Sequence, residues 1–201
     1  MKYFTYKIEH DYGLAPNPFG GYCTLAVCKS QIRMNSNVNI GSWIFGSGSV
    51  KLKTLNKLIY AMRVDEIITM EEYWNDSRFS YKKPIIPNGS LPQVYGDNFY
   101  HKDINGNWIQ ENSAHSNNEG LLNESHLARD VSGNNVLISL NFFYFGRNAI
   151  TIPAEFIEVI FTKGRNWAYA KPEESIISFI EWLSKTHEKN IIHGDPINWP
   201  V

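Results

Sequence analysis

Polar and apolar residues alternate over residues 2–9, the period of a half-buried strand. A Gly- and Pro-rich loop follows over residues 11–21 and carries no periodic apolar face. Cys23 and Cys28 bracket four residues that read as a buried strand, leading into a short turn or helix over 29–35. Residues 40–49 predict another strand, ending in alternating glycines. Residues 55–67 are apolar and β-branched enough for a further strand, with Leu58, Tyr60, Met62 and Val64 on one face. Thr69 reads as the N-cap of a short helix through Glu71, Glu72, Tyr73 and Trp74, with acids in its first turn.

Residues 77–134 break this rhythm. They are dense in Asn, Gly, Ser and Pro, and little period survives except a hairpin signal, Asn105-Gly106 between residues 100–103 and 108–110. A long irregular insertion is usually a lid or binding loop, or else disordered. Its aromatics, among them Phe79, Tyr81, Phe99 and Trp108, argue against full disorder. Residues 135–145 form one or two buried strands ended by Gly146. Pro153 predicts a short helix opening at its first position, with Phe156, Ile157 and Ile160 facing inward. The clearest helix spans 172–189, where Ile176, Ile177, Ile180, Leu183 and Ser184 follow one face. Strands dominate the first two-thirds and helices the end, which is an α+β pattern.

The chain has 201 residues and no internal repeat, so a single domain over 1–201 is expected. With 43% hydrophobic and 19% charged residues it is not a disordered tail, a collagen or a coiled coil. A net charge of −1 excludes strong bulk attraction to nucleic acid but leaves room for a local basic face. No apolar run approaches the roughly 20 residues that span a bilayer, and the first residues lack a signal-peptide core, so a cytoplasmic chain with no membrane partner is expected. The two cysteines would lie about 16 Å apart on opposite faces of a strand. They read as reduced, buried apolar residues, and no cofactor is expected.

The turn of Gly46, Ser47, Gly48 and Ser49 offers backbone N–H groups to a phosphate or base edge. It lacks the dinucleotide fingerprint and the phosphate-loop lysine, and a tight strand end needing positive φ explains it as well. Gly20 and Gly21 are a second place where a ligand approaches closely or the chain simply turns. Of the aromatics Trp43, Phe45, Tyr60, Tyr73 and Trp74, all large enough to be core, Trp43 is the stacking candidate because it sits beside the glycine turn. The densest polar run supplies Tyr95, Asp97 and Asn98 as binding residues, with His101 and Asp103 as an acid–base group and a carboxylate. A second cluster holds His126, Arg129 and Asp130, and a His101–Asp130 pair would suit acid–base chemistry; solvated loop polarity is the competing account. His115 and His126 lack an obvious third ligand, so no metal site is expected. Lys51, Lys53, Lys57, Arg63, Arg78, Lys82 and Lys83, then Lys163, Arg165 and Lys171, form at most a modest phosphate track.

Several segments together resemble the nucleotide-modification-associated domain 2 family. They are Leu25-Ala-Val-Cys28, Ile32-Arg-Met34, Ile40-Gly-Ser-Trp-Ile-Phe-Gly-Ser-Gly-Ser49, Leu58-Ile-Tyr-Ala-Met62, Glu71-Glu-Tyr-Trp74, Tyr95-Gly-Asp-Asn98, Tyr100-His-Lys-Asp103, Arg129-Asp-Val-Ser-Gly133 and Phe143-Tyr-Phe-Gly146. The resemblance implies a setting beside enzymes that modify or hypermodify DNA bases in phages and bacteria. A fainter likeness to PUA-like domains implies a small β-barrel that grips a flipped base in an aromatic pocket, although Ser42 stands where such strands commonly carry an acid. Three functions follow from the resemblance. The first is a reader of DNA or nucleotide carrying a modified base, stacked on Trp43 and contacted by Gly20, Gly21, Gly46, Ser47, Gly48, Tyr95, Asp97 and Asn98. The second is a base-modifying enzyme using His101 with Asp103, Arg129 or Asp130. The third is a non-catalytic subunit held by a modification-enzyme partner or an anti-phage defence complex.

Overall fold

A computed structural model describes residues 2–160 and 166–200; Lys163 and Arg165 of the basic cluster lie outside them. The chain opens with β1 (Tyr3–Lys7), and a loop leads to β2 (Cys23–Leu25) and the one-turn helix α1 (Ser30–Arg33). β3 (Trp43–Ser47) and β4 (Lys57–Arg63) follow, then β5 (Glu66–Thr69), which runs directly into α2 (Met70–Asn75). The expected single strand over 55–67 is therefore two. Asp65 interrupts it: its carboxylate takes hydrogen bonds from Arg63 Nε (2.6 Å) and the Leu140 N–H (2.7 Å), and β5 joins a different sheet from β4.

The irregular stretch consists of short pieces: a 3₁₀ turn over Ser77–Lys82, α3 (Leu91–Val94), the hairpin β6 (Tyr100–Lys102) and β7 (Trp108–Gln110), and α4 (Glu124–Val131). The hairpin stands where the Asn-Gly signal predicts it, with Gly106 at φ 84°. The helix α4 was not apparent in the sequence. Asn123 caps it by accepting the His126 N–H (3.1 Å), and Leu127 and Val131, four apart, rest on the core. β8 (Asn135–Ser139), β9 (Phe142–Tyr144) and β10 (Ile150–Thr151) come next. Pro153 precedes a 3₁₀ turn, Ala154–Phe156, as its N-cap rather than its first residue, and the turn continues into α5 (Ile157–Ile160). β11 (Ala168–Tyr169) and α6 (Glu173–Thr186) complete the set. The inward face of α6 is Ile176, Phe179 and Leu183; Ile177 is exposed, one position off the stripe.

Two compact units emerge, one from Met1–Tyr12, Asn37–Asp65 and Ser139–Val201, the other from Gly13–Ser36 and Glu66–Ile138. The first holds a six-stranded sheet in the order β10-β4-β3-β1-β11, with β9 also on β4. β1 and β3 run parallel, which no tight turn can achieve, and residues 8–42 supply the crossover. Aromatic rings from β3 and β9 meet α6: Trp43, Phe45, Phe143 and Phe145 pack with Phe179 and Leu183. The second unit has the sheet β2-β8-β5 and the β6–β7 hairpin, around a core of Met70, Tyr73, Phe79, Phe99, Val136 and Ile138. The architecture is α+β. None of the sheets closes into a barrel among the described residues, since the largest stops at β11 on one edge and at β9 and β10 on the other.

The alternating glycines at the end of β3, Gly46 within it and Gly48 just beyond, do not take positive φ. They are required by close approach instead: a Cβ on Gly46 would overlap the buried Tyr60 ring and stand 2.6 Å from Ile8 Cδ1, and one on Gly48 would overlap the Thr54 carbonyl. Gly46→Ala is expected to lose about 1–3 kcal/mol in denaturant unfolding through overpacking; an unchanged midpoint would contradict this account of the turn.

Candidate functional site

The second unit carries an open cleft of about 320 Å³ whose walls include Trp74, Lys83, Ile85, Glu111 and Asn112. Its geometry begins with the start of α2. Thr69 Oγ1 accepts the Glu72 N–H (3.1 Å) while Glu72 accepts the Thr69 N–H (2.7 Å), a reciprocal cap that fixes the first turn at Met70. Met70 and Tyr73 then face the core and Trp74 stays half-buried beside it. Glu71 accepts the Lys102 N–H (2.7 Å) and draws the hairpin against the helix. The alternation of β6 sends Tyr100 inward and His101 outward, where its ring stacks on Trp74 at 4.1 Å and 14°. His101 Nε2 pairs with Glu111 Oε1 (2.8 Å). Lys83 Nζ lies 3.7 Å from the Trp74 ring centroid, and among the described residues it has no carboxylate partner.

On the inward face of the hairpin is a buried carboxylate. Asp130, fully buried, accepts from Tyr100 Oη (3.1 Å), the Cys28 N–H (3.0 Å) and Arg129 Nε (3.2 Å), and pairs with His115 Nδ1 (2.7 Å). Gln110 donates to Tyr100 Oη (3.0 Å) and accepts the Asn123 N–H (2.8 Å), bracing the hairpin against α4. The structure thus brings Arg129 and Asp130 together, but the ring on Asp130 is that of His115. His101 faces the other way, and Asp103 is a turn residue that accepts the Asn105 and Asn107 N–H groups (both 2.8 Å). Burial opposes charge on both members of the pair, yet their hydrogen bond and attraction prevail, helped by Cys28 on His115 and by Arg129 on Asp130: His115 is raised to about 9 and Asp130 is lowered to about 2. Cys28 Sγ, a His115 ring nitrogen and an Asp130 oxygen fall within 4.8 Å of one another. The carboxylate already serves four donors, so this set offers a metal little beyond sulfur and one nitrogen.

Most of the other sequence-predicted residues are internal, while Gly20 and Gly21 are exposed and Tyr95 is half-buried. Asp97 and Asn98 are each 1% exposed; Asp97 accepts from Thr24 Oγ1 (2.6 Å) and Tyr73 Oη (2.8 Å), and Asn98 Nδ2 donates to the Tyr73 and Phe79 carbonyls. Lys82 is buried too, bonded to Asn17 Oδ1 (2.7 Å) and the Asn17 and Tyr22 carbonyls; burial, against the attraction of Asp97, lowers it to about 8. Tyr95 caps α3, its carbonyl accepting from Asn17 Nδ2 (3.2 Å). Gly20 and Gly21 turn the chain at φ 74° and 83°. In the first unit Trp43 is 6% exposed and stacks on Phe45 and Phe143, and Ser47 donates to the Tyr6 carbonyl. Of the basic residues, Arg78 is neutralised by Glu66 and Asp76. In the sequence Lys83 counts only as one member of a modest basic track, and Cys28 and His115, 87 positions apart, carry no shared motif.

The family model for nucleotide modification associated domain 2 matches residues 1–201. The chain belongs to that family. No curated protein and no solved structure matches it. In this member of the nucleotide modification associated domain 2 family, no helix among the described residues is long and apolar enough to cross a membrane.

The His115–Asp130 pair predicts a pH signature. The His115 contribution is complete below its ordinary 6.5 and is lost as pH rises through about 9; the Asp130 contribution is complete above its ordinary 3.8 and is lost as pH falls through about 2. Asp130→Asn is expected to cost about 3–5 kcal/mol and to flatten the alkaline decline in thermal melts. A decline of equal slope in both proteins would contradict it.

Proposed function

We propose that this protein recognises a nucleotide, within systems that modify nucleic-acid bases, by stacking the base on Trp74 and holding its phosphate with Lys83. The observation that carries this reading is the cation without a carboxylate partner resting on a half-buried indole in the wall of the cleft. A nucleotide supplies an anion for Lys83 and, once the ammonium leaves the indole to meet it, a base for the face of Trp74 that His101 does not cover. His101 enters as the ring that backs Trp74 and holds its plane, with Glu111 fixing the imidazole. Asn112 lines the same cleft, and in this reading its amide meets the edge of the base or a group added to it. Trp43, the aromatic favoured from the sequence, is engaged on its own unit's core rings, so this reading moves the stacking platform to Trp74.

The test is a calorimetric titration with nucleosides, nucleoside monophosphates and short single-stranded DNAs bearing ordinary and modified bases. Trp74→Ala is expected to weaken binding by about 1–3 kcal/mol. Lys83→Ala should bring nucleotide affinity down to that of the matching nucleoside and reduce its salt dependence. A panel with no binder, or binding indifferent to both substitutions, would overturn the proposal.

A further inference from the structure

The two cysteines occupy opposite environments. Cys23 is fully buried at the start of β2, and burial pushes its thiol up to about 12. Cys28 is half-buried in the turn between β2 and α1 and takes a left-handed backbone, φ 55°, followed by Lys29 at φ 40°. Two successive non-glycine residues in that region are strained, and strained backbone of this kind gathers at reactive sites. A nucleophile on a sharp strand-to-helix turn is one such arrangement, because the turn presents the side chain away from both elements. The Cys28 N–H is spent on Asp130 Oδ1 (3.0 Å) and its carbonyl on Arg33 Nε (2.8 Å), so the turn is gripped on both sides.

The sulfur faces a ring. Cys28 Sγ lies 3.8 Å from His115 Nε2, and the opposite nitrogen, Nδ1, lies 2.7 Å from Asp130 Oδ2. Thiol, imidazole and carboxylate therefore form a relay in which each member is held by the next. Asp130 is fixed in turn by Tyr100 and Arg129, which leaves it free to orient His115 and unsuited to ligate a metal. The charged and titratable groups around the ring are Asp130, Cys28, His126 edge-on at 4.5 Å, Arg129 and, through Asp130, Tyr100 and Arg33. Their balance favours the protonated ring, with His115 raised to about 9, while burial and then the His115 and Arg129 charges push His126 the other way. Cysteine nucleophiles act as thiolates and are found beside such cationic rings.

We infer that Cys28 is the nucleophile of an acyl-transfer activity, with His115 as its acid–base partner and Asp130 as the positioning residue, acting on activated acyl groups such as esters and thioesters. The Cys28 sulfur, with its proton held by His115 Nε2, forms a bond to the carbonyl carbon, and the bond from that carbon to the leaving oxygen or sulfur breaks. The leaving atom takes the electron pair and receives the proton from His115 Nε2. Water, an amine or a hydroxyl then attacks the S-acyl intermediate, gives its proton to His115, and the carbon–sulfur bond breaks to release Cys28. No oxidant, reductant or metal enters the balance, and the inference does not depend on nucleotide binding at Trp74.

The test uses the full chain and p-nitrophenyl acetate. A burst of one equivalent of nitrophenolate is expected, with the acetyl group mapped to Cys28 and Cys23 unlabelled. Cys28→Ala should abolish the burst. His115→Gln should slow acylation by roughly 10²–10⁴-fold. With Asp130→Asn the loss should fall on the acylation rate constant and not on the half-saturating ester concentration, a split that general loosening would not produce. Should the buried-site variants fail to fold, the map on the wild-type chain decides alone. Acetyl groups confined to lysines, or no burst at all, would overturn the inference. So would tight Co²⁺ binding with a thiolate charge-transfer band that vanishes in Cys28→Ala, in a protein that does not acylate.

Discussion

The second unit is organised around one carboxylate. Asp130 is cut off from water, so every lone pair it carries must be met by a protein donor or the fold loses several kilocalories. The donors come from residues 28, 100, 115 and 129, and satisfying them fixes the Cys28 turn, the β6–β7 hairpin, the loop before α4 and α4 itself. Arg33 does the converse from beneath, its buried guanidinium collecting the carbonyls of Cys28, Asp130, Gly133 and Asn135. The cleft depends on the same constraint at one remove. Because Tyr100 must point at Asp130, strand alternation sends His101 outward onto Trp74.

Adjacent lysines show how local geometry decides what a charge does. Lys82 ends the 3₁₀ turn and is drawn inside, where three oxygens and the nearby Asp97 replace its water. Lys83, the next residue, leaves the turn with an extended backbone and lies across an indole at the surface of the cleft. Identical side chains thus become an internal strut and a half-buried cation on the wall of the cleft. Buried polar networks of this kind make a unique arrangement rather than extra stability, because each unmet group penalises every alternative packing.

What could be read in the sequence was local. The capping residue Thr69, the Asn105-Gly106 turn and the Ile176–Leu183 stripe each depend on neighbours within a few positions, and each stands close to where the pattern put it. The helix α4 escaped because its one-sided apolar face is short and embedded among Asn and Ser, which the eye assigns to loops. The site escaped for a different reason. The His115–Asp130 and Cys28–His115 contacts join residues with no common motif, and which histidine meets Asp130 is set by the hairpin's two faces. A glycine near an aromatic, as Gly46 near Trp43, signals close approach without saying whether a ligand or, as the structure has it, the Tyr60 ring does the approaching.

The interleaving of the two units has a bearing on synthesis. All residues of the second unit have been made once Ile138 emerges, whereas the first needs α6, whose Phe179 and Leu183 cover the rings of β3. A ribosome adding about 5–20 residues per second takes on the order of ten seconds to travel from β4 to α6. Throughout that interval Trp43, Phe45 and Leu58 are made but not yet roofed. The earliest strands of the first unit are therefore the last to be covered.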